Sequence, residues 1–133
     1  MLELEVKNLN KRFGGLHVLK DVTFGIKGAE LIGLIGPNGA GKTTLTNILD
    51  GAIKPSSGTV YLNGQRIDQL PPFEVAKVGL GRTFQVTRSF RRMTVLENLF
   101  VPALAKDLAA DKSEVMNKAL EVLDFLTMDH LRN

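Results

Sequence analysis

Gly36-Pro37-Asn38-Gly39-Ala40-Gly41-Lys42-Thr43 satisfies the pattern G-x-x-x-x-G-K-[ST], and its residue types suit one task, the holding of a phosphate chain. Successive backbone N–H groups in such a loop converge on a concave anion site, to which Asn38 and Ala40 contribute main chain. Gly36, Gly39 and Gly41 are expected to take positive φ and to let the main chain approach its ligand closely. A helix opening near Lys42 adds unpaired N–H groups and the positive end of its dipole. Lys42 brings an ammonium point charge to the β- and γ-phosphates. The Thr43 hydroxyl is a hard oxygen ligand of the kind Mg²⁺ prefers, and Thr44 follows it to hold the α- or β-phosphate. This is the chemistry of a nucleoside triphosphate with Mg²⁺.

Such a loop needs a strand before it and a helix after it, and the flanking sequence offers both. Residues 31–35 form an apolar run that predicts a buried strand. Residues 43–52 place Leu45, Ile48, Leu49 and Ala52 at helical spacing, with Gly51 near the end. Upstream, Leu2, Leu4 and Val6 alternate with Glu3, Glu5 and Lys7, a half-buried strand, and residues 11–15 read as a loop. Val22, Phe24 and Ile26 alternate in a second strand, which Lys27-Gly28 ends. Downstream, residues 54–58 read as a loop and residues 59–62 as a strand that stops at the hairpin dipeptide Asn63-Gly64. Pro71-Pro72 starts a short helix over residues 73–78, and residues 81–85 read as another short strand.

The character changes after Gln85. Thr94 and Glu97 form a capping box that starts a helix, which Pro102 is expected to end or kink. Asp111 and Glu114 form a second box, and Val115, Met116, Ala119, Leu120, Leu123 and Leu126 then make one apolar stripe. The expected fold class is α/β, with a nucleotide-binding core over residues 1–85 and a helical portion over residues 86–133.

Composition bounds the rest. The 133 residues suffice for one domain with a core, and 44% hydrophobic with 23% charged residues is a soluble globular balance. A net charge of +3 is too small to argue for nucleic acid or a membrane surface. Without cysteine there are no disulfides or thiolate metal sites, which fits a reducing compartment. The first residues carry Glu3 and Glu5 and do not read as a signal peptide, and no apolar run approaches a membrane span of about 18 residues. His17 and His130 are isolated and lack metal-ligand spacing. Asp124, between Leu123 and Phe125, reads as the polar edge of the last helix.

Further segments fall at characteristic distances from the phosphate loop: Lys11-Arg12-Phe13-Gly14-Gly15, Pro55-Ser56-Ser57-Gly58, Gly81-Arg82-Thr83-Phe84-Gln85 and Met93-Thr94-Val95-Leu96-Glu97-Asn98-Leu99. Together they resemble the ATP-binding domain of an ABC transporter, and the last two are most similar to the branched-chain amino-acid importer subfamily. The resemblance implies a P-loop NTPase core of the ABC ATPase type with the start of a helical subdomain. It implies ATP and Mg²⁺ as ligands. Its partners would be transmembrane subunits, a second ATP-binding subunit and, indirectly, an extracytoplasmic solute-binding protein, with no nucleic acid. The expected location is cytoplasmic, peripheral to the inner face of the cell membrane.

By the same resemblance, Phe13 stacks on the adenine ring, against the alternative of a core phenylalanine ending the first strand. Gln85 matches the Q-loop glutamine, whose amide oxygen ligates Mg²⁺ or orients the attacking water in catalysis and whose loop senses the membrane subunit; the alternative is a solvated loop amide. Arg88, Arg91 and Arg92 are either a solvated basic loop or a contact for a transmembrane subunit or anionic lipid. The family's Ser-Gly-Gly signature, its Asp-Glu strand and its switch histidine are not in this sequence, so the resemblance implies a truncated domain that is inactive alone. A nucleotide-binding fragment completed by another chain and a soluble ABC ATPase without a membrane partner are the alternatives. A guanine reader is disfavoured, since Asn117-Lys118-Ala119-Leu120 lacks the needed Asp, and a small-molecule kinase stays open on the phosphate loop alone.

Overall fold

The computed structural model describes residues 3–84, 86, 89–106, 111–128 and 130, with the backbone alone at residues 103–106. Two compact units result, Met1–Arg82 and Thr83–Asn133.

The first unit is built on an antiparallel sheet of order β2-β1-β3-β4, from β1 (Glu3–Phe13), β2 (Leu16–Lys27), β3 (Ser57–Leu62) and β4 (Gln65–Arg66). Register explains why the sheet buries one face. Leu4 and Val6 pair with Leu62 and Val60 on one side and with Ile26 and Phe24 on the other, so apolar side chains share a face. The alternation then breaks. A register shift falls between Val6 and Leu9, with Asn8 at φ 47 and Asp21 at φ 48 on the facing strands. The bulge changes the parity of β1, and Leu9, not Asn8, returns to the core. The Asn8 amide donates to Thr23 Oγ1 at 2.8 Å, which gives the irregular stretch a partner.

Helix α1 (Lys42–Leu49) buries Leu45 and Ile48 against this sheet, in one cluster with Val6, Leu9, Val60 and Ile67. The short helix α2 (Pro72–Val78) adds Val75 and ends at Gly79, in the left-handed conformation. The expected Asn63-Gly64 turn joins β3 to β4 with φ 51 and 79, the double positive φ of a type I′ hairpin.

The buried carboxylate of Asp68, 1% exposed, ties the end of the hairpin to β3. It accepts from the Val60 amide at 3.0 Å, Arg66 Nε at 2.9 Å and Nη2 at 3.0 Å, and Gln69 Nε2 at 2.8 Å. Burial pushes its pKa up, but the hydrogen bonds from Arg66, Val60 and Gln69 outweigh burial and hold it below the usual aspartate value.

In the second unit, α3 (Val95–Lys106) starts at the expected box: Thr94 N donates to Glu97 Oε2 at 2.7 Å, and Glu97 N to Thr94 Oγ1 at 3.2 Å. Pro102 lies inside α3 and does not end it. Asp111 caps α4 (Lys112–Phe125) by accepting from Ser113 N at 2.9 Å, and Val115, Ala119 and Leu123 are its buried stripe.

Three expectations are corrected. Residues 31–35 are in no strand, and Leu31, Ile32, Leu34 and Ile35 are exposed. No described strand lies alongside them, and an apolar run is a strand only when a neighbour supplies the ladder. Residues 81–84 likewise form no strand; Arg82 is bonded to α1 instead. Residues 11–13 are not loop but the end of β1, because Gly14-Gly15 is by itself enough to turn the chain, so that Phe13 pairs with Leu16.

Candidate functional site

The phosphate-loop residues come together between β2 and the start of α1. Leu16, Val18 and residues 38–44 line a cavity of about 360 Å³. The loop is shaped by two left-handed glycines, Gly39 at φ 82 and Gly41 at φ 88. Gly36 does not share this conformation, contrary to expectation. A Cβ there would stand 3.2 Å from the Ala40 Cβ, a tight contact that the loop would have to open slightly to accept.

Gly41 is the N-cap of α1, with no side-chain cap. The first amide that closes a helical bond is Leu45 N, donating to Gly41 O at 2.8 Å. The amides of Lys42, Thr43 and Thr44 precede it and make no hydrogen bond to the described residues, and the same holds for Gly39 and Gly41. Ala40 differs: its amide donates within the loop, to Pro37 O at 3.2 Å. Lys42 is half-buried, and its Nζ donates to Gly36 O at 2.6 Å and Pro37 O at 2.8 Å. Those bonds hold the ammonium across the loop and use two of its three protons, leaving one for an anion. The exposed Thr43 hydroxyl and the half-buried Thr44 complete the lining, which contains no carboxylate. A ring of free amides, a cation and two hydroxyls fits a polyanion, and one neutral hydroxyl oxygen fits Mg²⁺ that takes its other ligands from phosphate and water.

Among the described residues, Phe13 and His17 are not in the lining of this cavity. Phe13, 48% exposed, is not a core residue; its strand partner Leu16 lines the cavity and Phe13 does not. Lys11 Nζ lies 4.9 Å from the Phe13 ring centroid and donates to Lys54 O at 2.7 Å. Gln85 and Arg88 lie outside the described residues. Arg91, Arg92 and Asp124 are exposed. His17 is half-buried, with Nε2 2.9 Å from Asn10 Oδ1, and no group of three or more potential metal ligands occurs among the described residues. Motif reading missed Asn47 and Asp50 as partners of Arg82; their place on the polar side of α1 was the available signal.

Comparison with known proteins shows the family and the fold. The ABC transporter family model matches residues 19–133. The probable branched-chain amino acid transport ATP-binding protein LivG of Archaeoglobus fulgidus is 36% identical, over 96% of this chain and 54% of its own length. The high-affinity branched-chain counterpart of Escherichia coli K12 is 49% identical over 74% of this chain and 38% of its own. The sulfate/thiosulfate import ATP-binding protein CysA of Pectobacterium atrosepticum is 34% identical over 98% and 39%. An ATP-binding cassette of an ABC transporter, solved in its ADP conformation, superimposes with a TM-score of 0.81 at 33% identity, over 100% of this chain and 57% of that one. The chain thus spans roughly half, or less, of the curated relatives it matches.

Proposed function

The chain belongs to the ABC transporter family, and from that premise we propose that its loop 36–44 binds the triphosphate of ATP with Mg²⁺, as part of the motor subunit of an importer. The observation that carries this is the 360 Å³ cavity, where free amides and the Lys42 ammonium converge without a carboxylate to oppose an anion. The amides of Gly39, Gly41 and the first turn of α1 hold the phosphates, Lys42 neutralises the β- and γ-oxygens, and Asn38 and Ala40 complete the rim. Thr43 holds Mg²⁺, which offsets phosphate charge, and Thr44 holds the α- or β-phosphate. Phe13 offers an exposed ring for the adenine, and Gln85 is assigned to Mg²⁺ and the attacking water.

Branched-chain amino acids are the proposed cargo. The 49% identity to the Escherichia coli protein supports this over sulfate, for which the relative is 34% identical. The partners in this reading are transmembrane subunits, a second ATP-binding subunit and an extracytoplasmic solute-binding protein, at the cytoplasmic face of the membrane. Residues 1–85 act as the nucleotide-binding core and residues 86–133 as the start of the helical subdomain.

One observation favours a second reading, a nucleotide-binding piece completed by another polypeptide: the apolar residues 31–35 are exposed and unpaired among the described residues.

Isothermal titration tests the assignment. Lys42→Ala is expected to weaken ATP binding by about 2–5 kcal/mol, the usual cost of removing one member of a desolvated charge pair. Equal affinity in the variant removes the basis for the phosphate site.

A further inference from the structure

One polar contact outside the loop joins distant parts of the chain and bears on the loop's own helix. Arg82 Nη1 lies 2.5 Å from Asp50 Oδ2 and 2.6 Å from Asn47 Oδ1. The Arg82 and Asp50 side chains are 26% and 14% exposed, so water screens this pair less than the surface pairs of the sheet, Lys7 with Glu5 and Lys27 with Glu3. Asn47 lies in the last turn of α1 and Asp50 is its C-cap, three residues apart and so on one side. The other end of the same helix begins at Lys42 and presents the free amides of Lys42, Thr43 and Thr44.

Helix α1 is poorly held by its own ends. It has 8 residues, no side-chain cap at Gly41 and no basic residue in its last turn. A helix of about 12 Å is not stable by itself, and its direction is set by what packs on it and what grips it. Leu45 and Ile48 anchor one face in the core. The Arg82 guanidinium grips the C-terminal end and places there the cation that the helix lacks.

We infer that Arg82 is a positioning residue for the phosphate loop: through Asn47 and Asp50 it fixes the axis of α1, and with it the aim of the first-turn amides. Its effect on binding rests on the triphosphate reading above; its effect on the helix does not. A rigid helix of two turns passes a tilt at one end to the other, where the β- and γ-phosphates meet Lys42 and Thr43.

The test uses the full chain with Arg82→Ala and Arg82→Lys. Hydrogen exchange, followed by mass spectrometry without nucleotide, reports on residues 42–49. Dissociation constants are then measured for ATP and for ADP. Arg82→Ala is expected to speed exchange at Leu45 and Thr46 by about tenfold, the mark of a locally loosened helix. It is expected to weaken ATP several-fold more than ADP, and Arg82→Lys, which keeps the charge, is expected to restore most of both. A residue that only stabilises the fold would lower both affinities equally and leave their ratio alone. Unchanged exchange at Leu45 and Thr46, or equal losses for both nucleotides with lysine no better than alanine, overturns the inference. If Arg82→Ala does not fold, Asp50→Asn, which keeps the size and loses the charge, is read by the same criteria. A wild-type chain that binds neither nucleotide sinks the ATP reading, while the exchange result still decides the role of Arg82.

Discussion

Gly41 turns the phosphate loop into α1 at φ 88, and a Cβ there would stand 2.8 Å from Leu19 Cδ2 and 3.3 Å from Val18 O. Gly41→Ala is therefore expected to cost about 1–3 kcal/mol, the range for a non-glycine residue held in the left-handed region. Urea unfolding measures it, and an unchanged midpoint would contradict the loop geometry. Asp68 works at the same scale. Asp68→Ala leaves the Val60 amide unpaired in the interior, at a cost of about 1–3 kcal/mol. The Asp68 pKa is depressed in the folded chain, so its stabilisation is complete above the unfolded value of about 3.9 and disappears as pH falls through the lower folded value. Wild type is thus expected to lose stability more steeply than Asp68→Ala as pH falls from the unfolded aspartate value of about 3.9 through the lower folded value. Parallel pH profiles would refute this. The glycines at 39 and 41 could be read from the motif, because a loop that aims its amides inward needs them. Asp68 could not, because nothing in its residue type says that the chain past the Asn63-Gly64 turn buries a carboxylate against the Val60 amide.

At the scale of elements, locally closed structure was legible. The Asn63-Gly64 hairpin and the Thr94–Glu97 box each bond within a few residues of themselves, and both form as expected. Strands were legible only where another strand was present. The alternating run in β1 formed, though a bulge reversed its parity beyond Val6. The apolar run at residues 31–35 did not, and Leu31, Ile32, Leu34 and Ile35 are exposed. Ile35→Lys is expected to change stability by less than about 0.5 kcal/mol, since the residue is unburied, while reducing self-association of the chain. Light scattering against concentration checks this; an unchanged second virial coefficient would argue that the segment is not the adhesive surface.

For the whole molecule, the fold agrees with ABC ATP-binding cassettes across the chain's length, while the chain covers 57% of the solved cassette. The 133-residue chain carries the phosphate loop but no Asp-Glu strand or Ser-Gly-Gly signature. Phosphoryl transfer depends on positioned groups around the reacting phosphate, and among these the loop offers the Lys42 ammonium and the amides at the start of α1.

The residue order alone determined the glycine-rich loop, the Thr94–Glu97 box, the Asn63-Gly64 turn and the family, because each depends on a few neighbouring residues or on types at fixed spacing. Tertiary structure alone decided which amides stay free, where Leu9 points, that Asp68 is buried among donors, and that Arg82 reaches α1. The Leu9 and Arg82 contacts join segments tens of residues apart, where the energy lies in the match of two surfaces and neither segment carries it by itself, while the Asp68 contacts depend on how the chain folds back across one hairpin.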